Sequence, residues 1–219
     1  MKALEKRVIA CRACPRLVAH REDMAAQRRK AYATETYWGR PLPGFGDRNA
    51  RIIVCGLAPA AHGGNRTGRV FTGDRSGDWL YRALHKAGLA NQPEAVSVDD
   101  GLVLHGAWVT VAVRCAPPDN KPTPAERDTC QPFLVEELRL LPARVVVCLG
   151  GFALDAMLAA LATLGHQRKP KPKFAHGLEV TVGPYTLVCS YHVSQQNTFT
   201  GRLTEPMLDA VFALANSRT

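Results

Sequence analysis

The run Arg51-Ile52-Ile53-Val54-Cys55-Gly56-Leu57 decides the fold. Four successive apolar side chains, without the polar alternation of a half-exposed strand, call for a strand covered on both faces, the mark of parallel sheets with helical crossovers. Two similar runs follow, Ala107 to Arg114 and Arg144 to Leu149. A weaker one, Leu178 to Tyr191, is interrupted at Gly183-Pro184 and reads as a hairpin or bent pair. The intervening segments carry helix signals. Ser76 to Ala87 sets Trp79, Leu80 and Leu84 on one side, with Ser76 as the expected cap and Gly88 as the stop. Pro124 to Leu140 opens with Thr123, Pro at the first helical position and Glu126 three residues past the cap, a capping box. Phe152 to Leu164, stopped by Gly165, and Glu205 to Ala215 complete the alternation. The pattern predicts an α/β fold, a three-layer α/β/α sandwich around a mostly parallel four-stranded sheet, with residues 1–219 as one domain.

Composition narrows the partners. The 219 residues are 46% hydrophobic, enough for one well-filled core. No run approaches the roughly eighteen apolar residues of a membrane span. Met1 to Ala10 carries Lys2, Glu5, Lys6 and Arg7 and no apolar stretch of the kind that directs secretion, so a cytoplasmic protein, and a monomer, is expected. The formal charge is +9, and twenty of the twenty-eight basic residues are Arg. Such an excess favours a polyanion, because guanidinium forks match phosphate oxygens and each neutralised phosphate releases counterion. Arg168-Lys169-Pro170-Lys171-Pro172-Lys173 reads as an exposed basic loop.

Four of the seven cysteines are spaced for a shared centre. Cys11 and Cys14 stand in C-x2-C spacing; Cys115 and Cys130 bracket a proline-rich loop between a strand and a helix. Unrelated thiols or two disulfides are the alternatives, and a reducing compartment disfavours the second. Four thiolates serve zinc and an iron–sulfur cluster equally, so spacing leaves the metal open. Cys55, Cys148 and Cys189 lie in apolar runs and read as core residues.

In open α/β sheets ligands gather at the carboxyl ends of the strands. After the first strand comes Gly56-Leu57-Ala58-Pro59-Ala60-Ala61-His62-Gly63-Gly64-Asn65-Arg66-Thr67-Gly68-Arg69, with glycines that admit close backbone approach and Arg66 and Arg69 expected to add positive charge. No Gly-Lys-Ser/Thr follows, and the next helix is expected about twenty residues on, so this is not a nucleotide phosphate loop. After the last strand comes His192-Val193-Ser194-Gln195-Gln196-Asn197, where His192 is suited to donate into a pocket, although a lone His at a strand end is more often structural.

Together these segments resemble the uracil-DNA glycosylase superfamily, specifically its family 5, the type b enzymes. Gly56-Leu57-Ala58-Pro59-Ala60 matches that family's first motif and His192-Val193-Ser194-Gln195-Gln196-Asn197 its last, while Cys11, Cys14, Cys115 and Cys130 match the ligands of the 4Fe-4S cluster shared by families 4 and 5. The resemblance runs from Cys11 to Arg202. It implies a monofunctional glycosylase that flips uracil, or another deaminated base, out of double- or single-stranded DNA and cuts its glycosidic bond, leaving an abasic site. By similarity, Gly56 to Ala60 line the base pocket and Phe71 stacks on the base. His192 donates to a uracil carbonyl, and the segment Gln195 to Arg202, with Gln195, Gln196, Asn197 and Arg202, enters the minor groove.

The stretch Leu57 to Ala61 holds no carboxylate or amide, where several related families place one to manage the attacking water. Asn120, just beyond the second strand, is the candidate for holding that water, with a turn role as the alternative, and Asp74 the candidate for orienting Asn120 or the water. Val109 to Arg114 likewise offers no amide to read the uracil edge. The implied cluster is expected to be structural, anchoring an N-terminal helix that carries Arg7, Arg16, Arg21, Arg28, Arg29 and Lys30. Two rivals remain at this level: a metal-stapled module that binds nucleic acid without cutting it, and a nucleotide hydrolase, which the lack of Lys and acidic residues around Gly63-Gly64 disfavours.

Overall fold

The computed structural model describes residues Met1–Thr219. Two helices, α1 (Lys2–Ile9) and α2 (Pro15–Gln27), precede the strand β1 (Phe45–Gly46) and the buried β2 (Ile52–Gly56). The short α3 (Gly64–Thr67) and then α4 (Arg75–Lys86) lead to β3 (Ala107–Val111) and α5 (Pro124–Leu140). The chain continues through β4 (Val145–Leu149), α6 (Gly151–Thr163), the hairpin β5 (Glu179–Val182) and β6 (Tyr185–Ser190), α7 (Gln195–Phe199) and α8 (Glu205–Asn216).

The strands form one sheet in the order β1-β3-β2-β4-β6-β5. Its centre is the expected block of four parallel strands: Ile52 to Gly56 pair with Ala107 to Val111 on one side, and Ile52 to Cys55 with Val145 to Cys148 on the other. Val145 to Leu149 in turn pair with Thr186 to Ser190. The sheet is nevertheless six-stranded. β1 and β5 close its two edges in antiparallel pairing, β1 too short to leave a pattern and β5 alternating exposed and buried residues as a hairpin strand with one free face does.

Successive side chains of each central strand enter opposite cores. Ile52, Val54, Val109 and Val147 join Leu80 and Leu84 of α4 and Leu208 and Phe212 of α8 on one face. Ile53, Cys55, Val146, Cys148, Leu187 and Cys189 join Leu134 and Leu138 of α5 and Leu154, Met157 and Leu161 of α6 on the other. Cys55, Cys148 and Cys189 are thus core residues, as read.

Three local expectations are corrected. The N-terminal region is two helices, because Pro15 lacks an N–H to continue α1 and starts α2 instead, leaving Cys11 to Cys14 at the break. The cap of α4 is Asp74 in place of Ser76: its carboxylate accepts from the Gly77 amide at 3.0 Å. A helical turn, α3, lies inside the long loop after β2, so the next helix comes sooner than expected. The capping box of α5 is present as read, Thr123 and Glu126 bonding reciprocally.

Candidate active site

The carboxyl ends of β2, β3 and β6 open on one cavity. Leu57, Ala58, Pro59 and Ala60 line it from the first loop, Phe71 and Asp74 from the approach to α4, Asn120 from the turn beyond β3, and His192, Gln195, Gln196, Asn197 and Arg202 from the segment after β6. Segments separated by more than a hundred residues therefore meet in one place, as the sequence reading required.

Gly56 does not line this cavity. Its role is steric: a Cβ there would run into the Phe71 ring, so the missing side chain lets that ring lie against β2. Phe71 takes a left-handed backbone (φ 51°), unusual for an aromatic, and its carbonyl sits where a Cβ on Gly77 would fall. The ring is both a core member and part of the cavity wall. His192 follows it at 6.3 Å between ring centroids.

His192 is partly buried, but its Nε2 atom is fully covered and has no hydrogen-bond partner. Burial pushes its pKa down to about 4, so the imidazole is neutral at physiological pH. A neutral ring donates a hydrogen bond but holds no spare proton to give. Asn197, which the sequence reading assigned to DNA, also braces this residue: its Nδ2 donates to the His192 carbonyl at 2.8 Å.

Asp119 and Asn120 both have left-handed backbones (φ 53° and 56°) inside a 3-10 turn, Pro118–Asn120. Asp and Asn are the non-glycine residues that tolerate this region best, so the turn by itself accounts for an Asn at 120, whose side chain is exposed toward the cavity in addition. Asp74 is half-buried. One carboxylate oxygen is engaged in capping α4, and its pKa is raised, chiefly by desolvation.

Arg66 and Arg69 do not face the cavity. Arg66 pairs with Glu35 at 2.5 Å, donates to the carbonyls of His62 and Gly73, and lies over the Tyr32 ring. Arg69 pairs with Asp100 at 2.6 Å and bonds Thr72. Both are buried: the fork of Arg66 satisfies two carbonyls of the loop at once, and that of Arg69 a carboxylate and a hydroxyl.

Residues the sequence reading did not single out also line the cavity: Arg75, Ser76, Asp119, Lys121 and Ser194. Arg75 lies over Phe199 at 5.0 Å, and Phe199 is 65% exposed. The signal available was an aromatic in the polar stretch Gln195 to Arg202.

Cys11, Cys14, Cys115 and Cys130 line a second cavity with Leu17, Val18, Pro41 and Phe133. No disulfide joins any of the four. Donors face two of the sulfurs: Arg21 Nη1 stands 3.2 Å from that of Cys115 and the Arg114 amide 3.5 Å from that of Cys130. No three His, Cys, Asp or Glu side chains converge tightly enough for a single ion. Four thiols on one largely apolar cavity are a donor set of the kind that holds an iron–sulfur cluster. Ala58 packs against this group as well as lining the first cavity, so the two sites share a wall.

The model of the uracil DNA glycosylase superfamily matches residues 43–215. The chain is 55% identical over 209 residues to a type-5 uracil-DNA glycosylase of Mycobacterium bovis, covering 94% of this chain and 76% of that one. It is 53% identical to the type-5 enzyme of Thermus thermophilus, over 94% and 92% of the two chains, and 46% identical to that of Pyrobaculum aerophilum, over 95% and 89%. A type-4 uracil-DNA glycosylase of Archaeoglobus fulgidus is 31% identical over 61% of this chain. Matched by the family model over residues 43–215 and 46–55% identical to type-5 enzymes over nearly its whole length, the chain belongs to the uracil-DNA glycosylase superfamily, in its type-5 family.

Proposed function

We propose that this protein hydrolyses the N-glycosyl bond of uracil in DNA, leaving an abasic site for base excision repair, and that Phe71, His192 and Asn120 carry the work. The single observation behind these roles is the meeting, in one cavity, of an aromatic wall, a neutral imidazole with an unpartnered Nε2, and an amide on a tight turn. A base leaves the duplex at a cost of a few kcal/mol in stacking and pairing. Phe71 offsets part of it by stacking. His192, with its proton on Nε2, donates to a uracil carbonyl oxygen and steadies the negative charge that collects on the departing base.

The sugar cation forms early, so the water needs holding more than deprotonating. The Asn120 amide suits that task, and Asp74, with one oxygen engaged as a cap, orients from the side. Gln195, Gln196 and Arg202 meet the duplex, and with no amide in Val109 to Arg114, recognition of the base rests on shape and backbone groups, which leaves other deaminated bases as substrates. We take the working unit to be a monomer that acts on single- and double-stranded DNA. Cys11, Cys14, Cys115 and Cys130 would hold a 4Fe-4S cluster, a cross-link fixing α2 to the turn that bears Asn120. When bound it supplies rigidity.

The test is single-turnover cleavage of a uracil-containing duplex followed by alkaline strand scission, with His192→Ala beside the wild type. Loss of roughly a hundredfold or more in the variant is expected. Intact uracil-DNA after incubation with the wild type would overturn the activity, and a fully active His192→Ala the mechanism. Iron and acid-labile sulfide in the anaerobically purified protein test the cluster; stoichiometric zinc in their place would overturn it.

A further inference from the structure

Arg21 is a buried cation with no buried carboxylate. It is only 2% exposed. Its Nη1 donates to the Cys115 sulfur at 3.2 Å and its Nη2 to the Cys11 carbonyl at 3.4 Å, while its Nε has no partner at all. The nearest carboxylate, Glu22, stands at 3.6 Å on the exposed side, and Arg12 engages both its oxygens at 2.5 and 3.0 Å. The other buried Arg beside the thiols differs in this respect. Arg114 is matched by the equally buried Glu137 at 2.6 Å.

The backbone of Arg21 is held in place as well. Its carbonyl accepts from the buried Asn65 side chain at 3.1 Å, and the Asn65 amide donates to the Ala60 carbonyl, which ties this turn of α2 to the pocket loop. Leu17, one turn earlier on the same face, is fully buried against Cys115 and Cys130. A charge held away from solvent is tolerable only when an opposite charge meets it. A neutral thiol is a weak acceptor, whereas a thiolate bound to iron carries the charge required.

The structure assigns to Arg21 the role of counter-ion to the thiolate cluster, compensating its negative charge through Cys115. This rests on the cluster reading above. A positioning residue of this kind, outside the four ligands, controls how firmly iron is held and how readily the site accepts an electron.

The test compares holoprotein of wild type, Arg21→Met and Arg21→Lys, all purified anaerobically, by the rate of iron loss to a ferrous chelator and by the midpoint potential. Arg21→Met should release iron about tenfold to a hundredfold faster and shift to a more negative potential, since removal of a nearby cation disfavours reduction. Arg21→Lys, which keeps the charge, should stay close to wild type in both. If wild type holds iron and Arg21→Met matches it in both readouts, the counter-ion role is wrong and the cluster stands. A wild type without iron sinks the cluster reading itself. Should Arg21→Met come only as aggregate, Arg21→Lys decides: wild-type retention supports the role, and failure like that of Met overturns it.

Discussion

At the scale of the residue, His192 and Asn120 are each constrained twice, once by the fold and once by the cavity they line. Burial holds the His192 pKa near 4, below the ordinary value of 6.5. The unfolded chain therefore binds a proton at this group as pH falls through 6.5, and the folded one only near 4. Its contribution to stability is full above 6.5 and is lost as the pH falls toward 4. Urea melts between pH 7 and 4 should accordingly show a shallower acid decline in His192→Gln than in the wild type, and cleavage by the wild type should show no inflection near 6.5 from this group. A wild-type rate that halves near pH 6.5 and moves with His192→Gln would contradict the neutral-donor role. Asn120 needs a different separation, because its backbone is left-handed. Asn120→Ala loses the amide and also strains the turn by about 1 kcal/mol or more, whereas Asn120→Gly loses the amide alone. Both should cleave uracil-DNA more slowly by about tenfold or more at nearly unchanged substrate affinity. Full activity in Asn120→Gly would reduce Asn120 to a turn residue.

Elements are where sequence and structure part most instructively. The four buried strands were legible because Ile52 to Cys55, Ala107 to Val111 apart from Thr110, Val145 to Cys148 and Leu187 to Cys189 are apolar on both faces, which only a covered sheet explains. β1 was not, since its two residues owe their conformation to antiparallel pairing with Trp108 and Val109 rather than to any pattern of their own. Likewise Asp74 and Ser76 are both good caps by type, and only the path of the chain decides between them. Arg66 and Arg69 were misread because a sequence shows a charge but not its partner, and Glu35 and Asp100 lie about thirty residues away from them in opposite directions. The site was legible in its strand-end motifs and obscure in Arg75 and Phe199, which meet only when α4 and α7 are brought together. α5 tests the local reading directly. Thr123 caps it, and Glu126, which closes the box, also receives Arg16 of α2 through both oxygens. Thr123→Ala should cost about 1 kcal/mol and lower the melting temperature by roughly 2–4 °C. An unchanged melting curve would mean that the Arg16 pair alone sets this end of α5.

For the whole molecule, the formal charge of +9 overstates what DNA meets. Arg21, Arg66, Arg69 and Arg114 are buried and answered within the protein or at its thiols, and several exposed Arg pair with carboxylates and do not line the cavity, such as Arg218 with Glu179 and Arg82 with Glu205. Around the mouth the balance is different. Arg75, Lys121 and Arg202 line the cavity, Arg29 lines the adjoining hollow that shares Ala60, Asp74 and Asn120 with it, and none of the four has a carboxylate partner. If these four neutralise one phosphate each, log affinity should fall against log salt with a slope of about −3.6, a loss near a hundredfold between 50 and 200 mM. The binding face is then local, not spread over the surface in proportion to charge. Arg202→Ala or Lys121→Ala should each flatten the slope by about 0.9, while Arg82→Ala, whose charge is paired with Glu205, should leave it unchanged. Titration of a fluorescent uracil-containing duplex at several salt concentrations separates the cases. A slope insensitive to Arg202 and Lys121 but reduced by Arg82 would move the DNA from the cavity mouth to the Arg82–Glu205 surface, and overturn the assignment of the strand-end cavity as the place where the base is received.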